Sequence, residues 1–255
     1  MIRRAIETVA TSQADDGAFR ALADIARLTE GIDEARVVGG QMVGLLLTAY
    51  PTPDTVLRRT VDADAAVSTQ VAASGRLHDL LVDAGYAATA GNRYVKEPGL
   101  TIDLLVPADN TTFEPKQLGH RQFDSAPGLR LALIAAPITL DVGVTLLDGE
   151  RITFTVRVPP VEIATILKAY AYVSRLAAKD VTDLYNLLMI ARAHKAEDIG
   201  GWGLGDNPLT GARLDTARTL HQLARLAGRS APVAEAGILV ERFVALIRTL
   251  VTSPE

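Results

Sequence analysis

The chain of 255 residues contains no cysteine, which excludes disulfides, zinc–thiolate sites and cysteine nucleophiles without identifying a compartment. Histidine is scarce too: His78, His120, His194 and His221 have no metal-ligand spacing and read as ordinary surface or core residues. Long hydrophobic runs are missing. The longest, Met42 to Leu47 and Leu131 to Pro137, fall well short of the roughly 20 residues a membrane span needs. Met1-Ile2-Arg3-Arg4 leads to Glu7, Asp15 and Asp16 instead of an apolar stretch, so no signal peptide is expected and the cytoplasm is the expected compartment. There is no strong excess of positive charge either. A net charge of −4 argues mildly against a protein that coats nucleic acid, although a local basic patch suffices for an enzyme that touches only one end of it. No internal repeat or low-complexity tract is found.

What is present is ordinary globular composition, 48% hydrophobic and 22% charged, at a length that suits one large domain or two small ones. Helical spacing of Phe19, Leu22, Ile25 and Leu28 predicts an amphipathic helix over about 14–30. A short strand from Ala35 to Val38 ends in Gly39-Gly40 and feeds a helix from Gln41 to Tyr50, closed by Pro51 and Pro53. A strand over 58–67 and a helix over 69–84 follow. Arg93–Lys96 and Leu100–Val106 read as a strand pair around a Pro98-Gly99 turn, and Asp148-Gly149 as a hairpin turn into Ile152–Val158. Between them, a looser stretch with Pro115, Gly119, Pro127 and Gly128 leads into apolar runs at 129–136 and 138–147. Beyond Pro159-Pro160 the pattern is helical, over 160–178, 180–195, 208–227 and 232–252, interrupted by a glycine-rich loop at 199–208. The expected architecture is α+β: a mixed sheet with helices over 1–158, followed by a helical region over 159–255 that completes the site.

The chemistry concentrates in Arg58-Arg59-Thr60-Val61-Asp62-Ala63-Asp64. Alternate side chains of a strand share a face, so Arg58, Thr60, Asp62 and Asp64 point one way, and Arg59, Val61 and Ala63 the other. Two carboxylates this close repel unless a cation sits between them, and a hard divalent ion with oxygen ligands is the usual answer. Asp103 is a lone acid in the apolar strand Thr101–Val106. It either faces water on an edge strand or shares a metal with Asp62 and Asp64. Gly39-Gly40 either exposes backbone N–H groups to phosphate or makes a tight turn. Further on, Lys168, Arg175 and Lys179 fall on one arc at 3.6 residues per turn, with Asp183 nearby. Such stacked cations suit a polyanion such as a triphosphate; a solvated face for the lysines and a helix cap for Asp180 and Asp183 are the alternatives. Arg213, Arg218, His221, Arg225 and Arg229 form a basic helix, solvated or RNA-facing.

Taken together, Gly39-Gly40, Arg58-x-Thr60-x-Asp62-x-Asp64 and Asp103 resemble the nucleotidyltransferase superfamily. With Lys168, Arg175, Lys179-Asp180 and Asp183-Leu184, the chain more narrowly resembles the AbiEii/AbiGii toxins of abortive-infection and toxin–antitoxin systems. It departs from that pattern at Thr60, where serine is usual, and at Lys179, where arginine is usual, which keeps charge but loses the bidentate fork. The resemblance implies that Asp62, Asp64 and Asp103 hold two Mg²⁺ ions, with Asp103 on the ion nearer the acceptor. It implies that Gly39, Gly40 and Thr60 cradle the phosphates of a nucleoside triphosphate, and that Lys168, Arg58, Arg175 and Lys179 bind or orient them. On the same resemblance Asp183 is expected to position or deprotonate the acceptor. The implied activity is transfer of a nucleoside monophosphate to RNA such as the tRNA 3′ end, with an antitoxin as partner and no membrane. A small-molecule acceptor, and a member that binds nucleotide without turnover, are the alternatives.

Overall fold

The computed structural model describes residues 1–89 and 91–254. Two sheets and a set of helices account for them, and the site is built where the larger sheet meets the helices that follow it. The chain opens with strand β1 (Ile2–Val9) and helix α1 (Gln13–Leu28). Ser12 caps α1 by accepting the Asp15 N–H at 3.1 Å, with Asp15 and Asp16 in the first turn and Arg27 in the last. There follow β2 (Ala35–Val37), α2 (Gly39–Ala49), β3 (Asp62–Val67), α3 (Thr69–Ala73), α4 (Arg76–Asp83), β4 (Ala87–Ala88), β5 (Arg93–Lys96), β6 (Leu100–Pro107), β7 (Glu114–Leu118), β8 (Arg121–Ala126), α5 (Leu129–Ile134), β9 (Ile138–Thr145) and β10 (Arg151–Val158). After Val158 the described residues contain helices only: α6 (Val161–Arg175), α7 (Ala178–Ala193), α8 (Gly211–Leu226), α9 (Ala231–Glu235), α10 (Val240–Leu250) and two short 3₁₀ turns. The expected mixed-sheet α+β fold with a helical C-terminal region is what the chain adopts.

The larger sheet runs β2-β3-β6-β5-β4, with β8 also on β6 and β7 on β8. β3 and β6 are parallel, in a register that sets Asp64 opposite Asp103. The smaller sheet is β1-β9-β10, β1 parallel and β10 antiparallel to β9. One apolar core gathers α1, α2 and strands of both sheets and continues into Val161, Ala164 and Leu167 of α6 and Leu187 and Ile190 of α7. A second core lies among α6–α10, around Tyr185, Leu188, Leu220, Phe243 and Ile247.

Several local expectations change. The predicted strand over 58–67 begins its ladder only at Asp62. Upstream, the backbone is held by a side chain: Asn186 of α7 accepts the Val56 N–H at 2.9 Å and donates to the Val56 carbonyl at 2.8 Å. The alternation nevertheless persists, since Arg58 turns to Asp183 and Arg59 to Asp15. The helix predicted over 69–84 breaks at Gly75, whose φ of +73° is left-handed. The helix predicted over 232–252 is two helices separated around Gly237. β1, β4, β7 and β8 add strands beyond those the sequence pattern predicts.

Candidate functional site

Gly39 opens α2 directly behind β2, at φ +68°. A Cβ there would stand 2.6 Å from Asp64 Cγ, so only glycine lets the Asp64 side chain lie against this turn. At Gly40 a Cβ would meet Arg58 Nη2 at 2.7 Å and Thr60 Cβ at 3.0 Å. The glycine pair is thus a close-approach site, with the N-terminus of α2 aimed at the same space.

Asp62 and Asp64 alternate on β3, and the parallel register brings Asp103 of β6 beside them. One oxygen from each carboxylate lies within 4.8 Å of the others. Thr60 donates its hydroxyl hydrogen bond to Asp62, while Arg93 makes a bidentate pair with Asp103 at 2.9 and 2.7 Å. Burial, and then the Asp62 charge, raise the pKa of Asp64 to about 7; Lys168 counteracts and Asp103 reinforces the rise. Three carboxylates with one direct cationic partner are an unbalanced cluster. Their all-oxygen donors suit a hard divalent cation, so the residues present fit Mg²⁺.

Facing them is a chain of ion pairs. Arg58 grips Asp183 with two hydrogen bonds of 3.0 and 2.8 Å. Lys168 Nζ lies 2.7 Å from Asp183 and 3.9 Å from Asp180. Arg175 in turn grips Asp180 at 3.1 and 2.7 Å. Both acids are buried, Asp183 at 1% and Asp180 at 0% exposure, as is Lys168 at 4%. The one-arc arithmetic of the sequence holds for Lys168 and Arg175, which share α6. Lys179 and Asp183 belong to α7, because the chain turns at Leu176, in a left-handed conformation at φ +49°. Packing of α6 on α7, not helical periodicity, completes the rank.

These groups surround a cavity of about 520 Å³. Gly39, Gly40, Arg58, Thr60, Asp62, Asp64, Asp103, Lys168, Arg175 and Lys179 all line it. Asp183 does not; it lies beneath Arg58 and Lys168, with both oxygens engaged. The far wall comes from β7, β8 and the residues that flank them, with Phe113, Glu114, Asp124 and Ser125. Sequence reasoning missed Arg93, yet it was within reach. Pairing outward from the Pro98-Gly99 turn sets Arg93 opposite Asp103. Asp180 is the buried link between Lys168 and Arg175. Of the basic helix, Arg213 pairs with Glu162, Arg218 lies near Asp215, and His221 bonds the Val251 carbonyl. His78 and His194 bond Tyr94 and Thr52, and none of the four histidines lines the cavity.

No family model matches the chain, and no curated protein matches it. Among solved structures it is similar to an antigenic nucleotidyltransferase-like protein from Paracoccidioides brasiliensis, at 16% identity and a TM-score of 0.43, over 88% of this chain and 94% of that one. No helix among the described residues is long and apolar enough to cross a membrane.

Proposed function

We propose that this chain is a metal-dependent nucleotidyltransferase that moves a nucleoside monophosphate from a nucleoside triphosphate to a hydroxyl acceptor. The observation that carries the reading is the opposition, across one cavity, of the Asp62/Asp64/Asp103 cluster to the Arg58/Lys168/Arg175/Lys179 rank, with the Gly39-Gly40 turn between. Asp62, Asp64 and Asp103 would hold the Mg²⁺ ions. When bound, these would neutralise the triphosphate and acidify the acceptor hydroxyl.

The chain's own residues supply the rest. The α2 N-terminus and the glycine backbone receive phosphate oxygens, and Thr60 fixes the Asp62 carboxylate. Lys168 carries charge toward the leaving pyrophosphate, and Arg58, Arg175 and Lys179 add to it. Arg93 orients Asp103 and leaves lone pairs on both its oxygens free. Asp183 is a positioning residue: it holds Arg58 and Lys168 at fixed separation, and its burial keeps it from the acceptor. The acceptor oxygen bonds to the α-phosphorus, the bridge to the β-phosphate breaks, pyrophosphate leaves with the electron pair, and the hydroxyl proton is lost to water.

The acceptor we favour is RNA, in particular the tRNA 3′ end. On the same reading the chain is a toxin of a toxin–antitoxin or abortive-infection system, with a cognate antitoxin as partner and an α/β unit over 1–158 completed by the helices of 159–255. The resemblance of Arg58-x-Thr60-x-Asp62-x-Asp64 and Lys168…Asp183 supports this. Glu114 and Asp124 on the far wall favour a second reading, a small cationic acceptor. One experiment separates the two. The protein is incubated with Mg²⁺, total cellular RNA and each labelled triphosphate, beside an Asp62→Ala/Asp64→Ala control, and the series is repeated with polyamines and aminoglycosides. Label in a tRNA-sized band with wild type alone supports RNA; label only on the cationic small molecules supports the second reading. No label on any acceptor rejects both.

A further inference from the structure

Along one edge of β6 the partner strand changes: Leu100–Asp103 pair with β5, and Leu105–Pro107 with β8. The turn carrying Gly91 and Asn92 fills the break. Arg121 donates to the Gly91 carbonyl at 2.6 Å, and the Asn92 carbonyl accepts the Leu104 N–H at 3.0 Å. Asn92 is therefore fixed by its backbone immediately beside Arg93, the partner of Asp103. Its residue is only 7% exposed and lines the cavity. The side-chain amide has no hydrogen-bond partner among the described residues and is not sealed from solvent.

A turn asparagine ordinarily directs its amide onto nearby backbone, and a buried amide without a partner is costly. Here Asn92 lines the cavity, and no hydrogen bond to the described residues engages its amide. It carries no charge, while Asp62, Asp64, Asp103, Arg58, Lys168, Arg175 and Lys179 bring charged groups to the cavity. It offers one fork of donor and acceptor, and Leu105, Phe113, Pro115, Ala126 and Leu129 bring apolar surface to the same cavity. A flat, neutral heterocycle with adjacent hydrogen-bonding groups satisfies both.

We propose that Asn92 is a specificity-determining residue that reads the edge of a nucleobase, either that of the incoming triphosphate or that of the acceptor's terminal nucleotide. This inference rests on the transferase reading. Such an amide discriminates once a ligand displaces the solvent that reaches it, because a base that fails to complete its bonds then leaves it unpaired.

The test measures binding to the full chain in Mg²⁺ by thermal-shift titration. The probes are the four nucleoside triphosphates, inorganic tripolyphosphate, and short RNA oligonucleotides differing in the 3′ base. Wild type is expected to rank the bases, and Asn92→Ala to flatten that ranking by about tenfold or more. Tripolyphosphate affinity should be unchanged, which reports an intact fold. Asn92→Asp, an acceptor only, should shift preference toward guanine, whose N1–H and N2–H are adjacent donors. Flattening confined to the triphosphates assigns the donor base, and flattening confined to the oligonucleotides assigns the acceptor base. Variants that keep the wild-type ranking for both sets, or a wild type without any ranking, overturn the role of Asn92 alone. A wild type that binds no triphosphate rejects the transferase reading, and this inference with it.

Discussion

With its pKa raised from 3.8 to about 7, Asp64 holds a proton in the folded chain where the unfolded chain has already lost one. The sign follows from linkage. Between those two values the folded state binds more protons, so Asp64 subtracts stability progressively as pH rises through the window, and the full penalty applies above it. Asp64→Asn removes the penalty. In the absence of divalent metal, the variant should therefore melt above wild type at pH 8, with the advantage shrinking toward pH 4. Added Mg²⁺ should reverse the order at pH 8, since only wild type gains a cation to offset the crowded carboxylates. Apparent Mg²⁺ affinity should also weaken as pH falls below about 7, because binding must displace the proton. Melting curves at several pH values, with and without Mg²⁺, check all of this. An Asp64→Asn variant no more stable than wild type at pH 8 without metal would refute the raised pKa.

At the scale of elements, the β2–α2 turn is the most exacting join in the site. Gly39→Ala must adopt a left-handed φ and place its methyl group on the Asp64 side chain. The backbone cost is roughly 1–2 kcal/mol, and Asp64 must move. The expected outcome is loss of Mg²⁺-dependent stabilisation by tenfold or more, measured by calorimetric titration. Gly40→Ala has no left-handed φ to strain and meets the Arg58 tip and the Thr60 side chain, not Asp64, so it should lose less Mg²⁺ affinity. Gly39→Ala with wild-type Mg²⁺ affinity would show that the turn does not set the position of Asp64. This join was legible in the sequence because glycine, carboxylate and strand period are local signals. The β5–β6 and β9–β10 hairpins were legible for the same reason. β1 was not: its alternate Arg3 and Glu7 look like solvated charge, and they make sense only once Asp141 and Arg151 are brought across from β9 and β10. Nor was the layout of 56–60, where alternation is maintained by Asn186, Asp183 and Asp15, drawn from helices far away in sequence. Nothing local in the sequence shows that both oxygens of Asp183 are taken up by Arg58 and Lys168.

Across the whole molecule, the cavity is a seam as much as a site. Its acidic side belongs to β3 and β6, its basic side to α6 and α7, and Arg58–Asp183 and Val56–Asn186 tie the two together. The larger apolar core crosses the same seam, running from α1 and the strands into Leu167, Leu187 and Ile190. Neither part can lose its packing without exposing the other, so calorimetry should give one cooperative unfolding transition. A ligand that binds only the completed cavity stabilises that transition as a unit. With Mg²⁺ and triphosphate at about 100 times the dissociation constant, the gain is about 2.7 kcal/mol, or roughly 5–10 °C for a chain of this size. Asp62→Ala should abolish the triphosphate-dependent shift while leaving a single transition. Two separated transitions, or a ligand shift confined to part of the heat absorption, would mean that the sheet and the helices fold as independent units and that the cavity is assembled only when they meet.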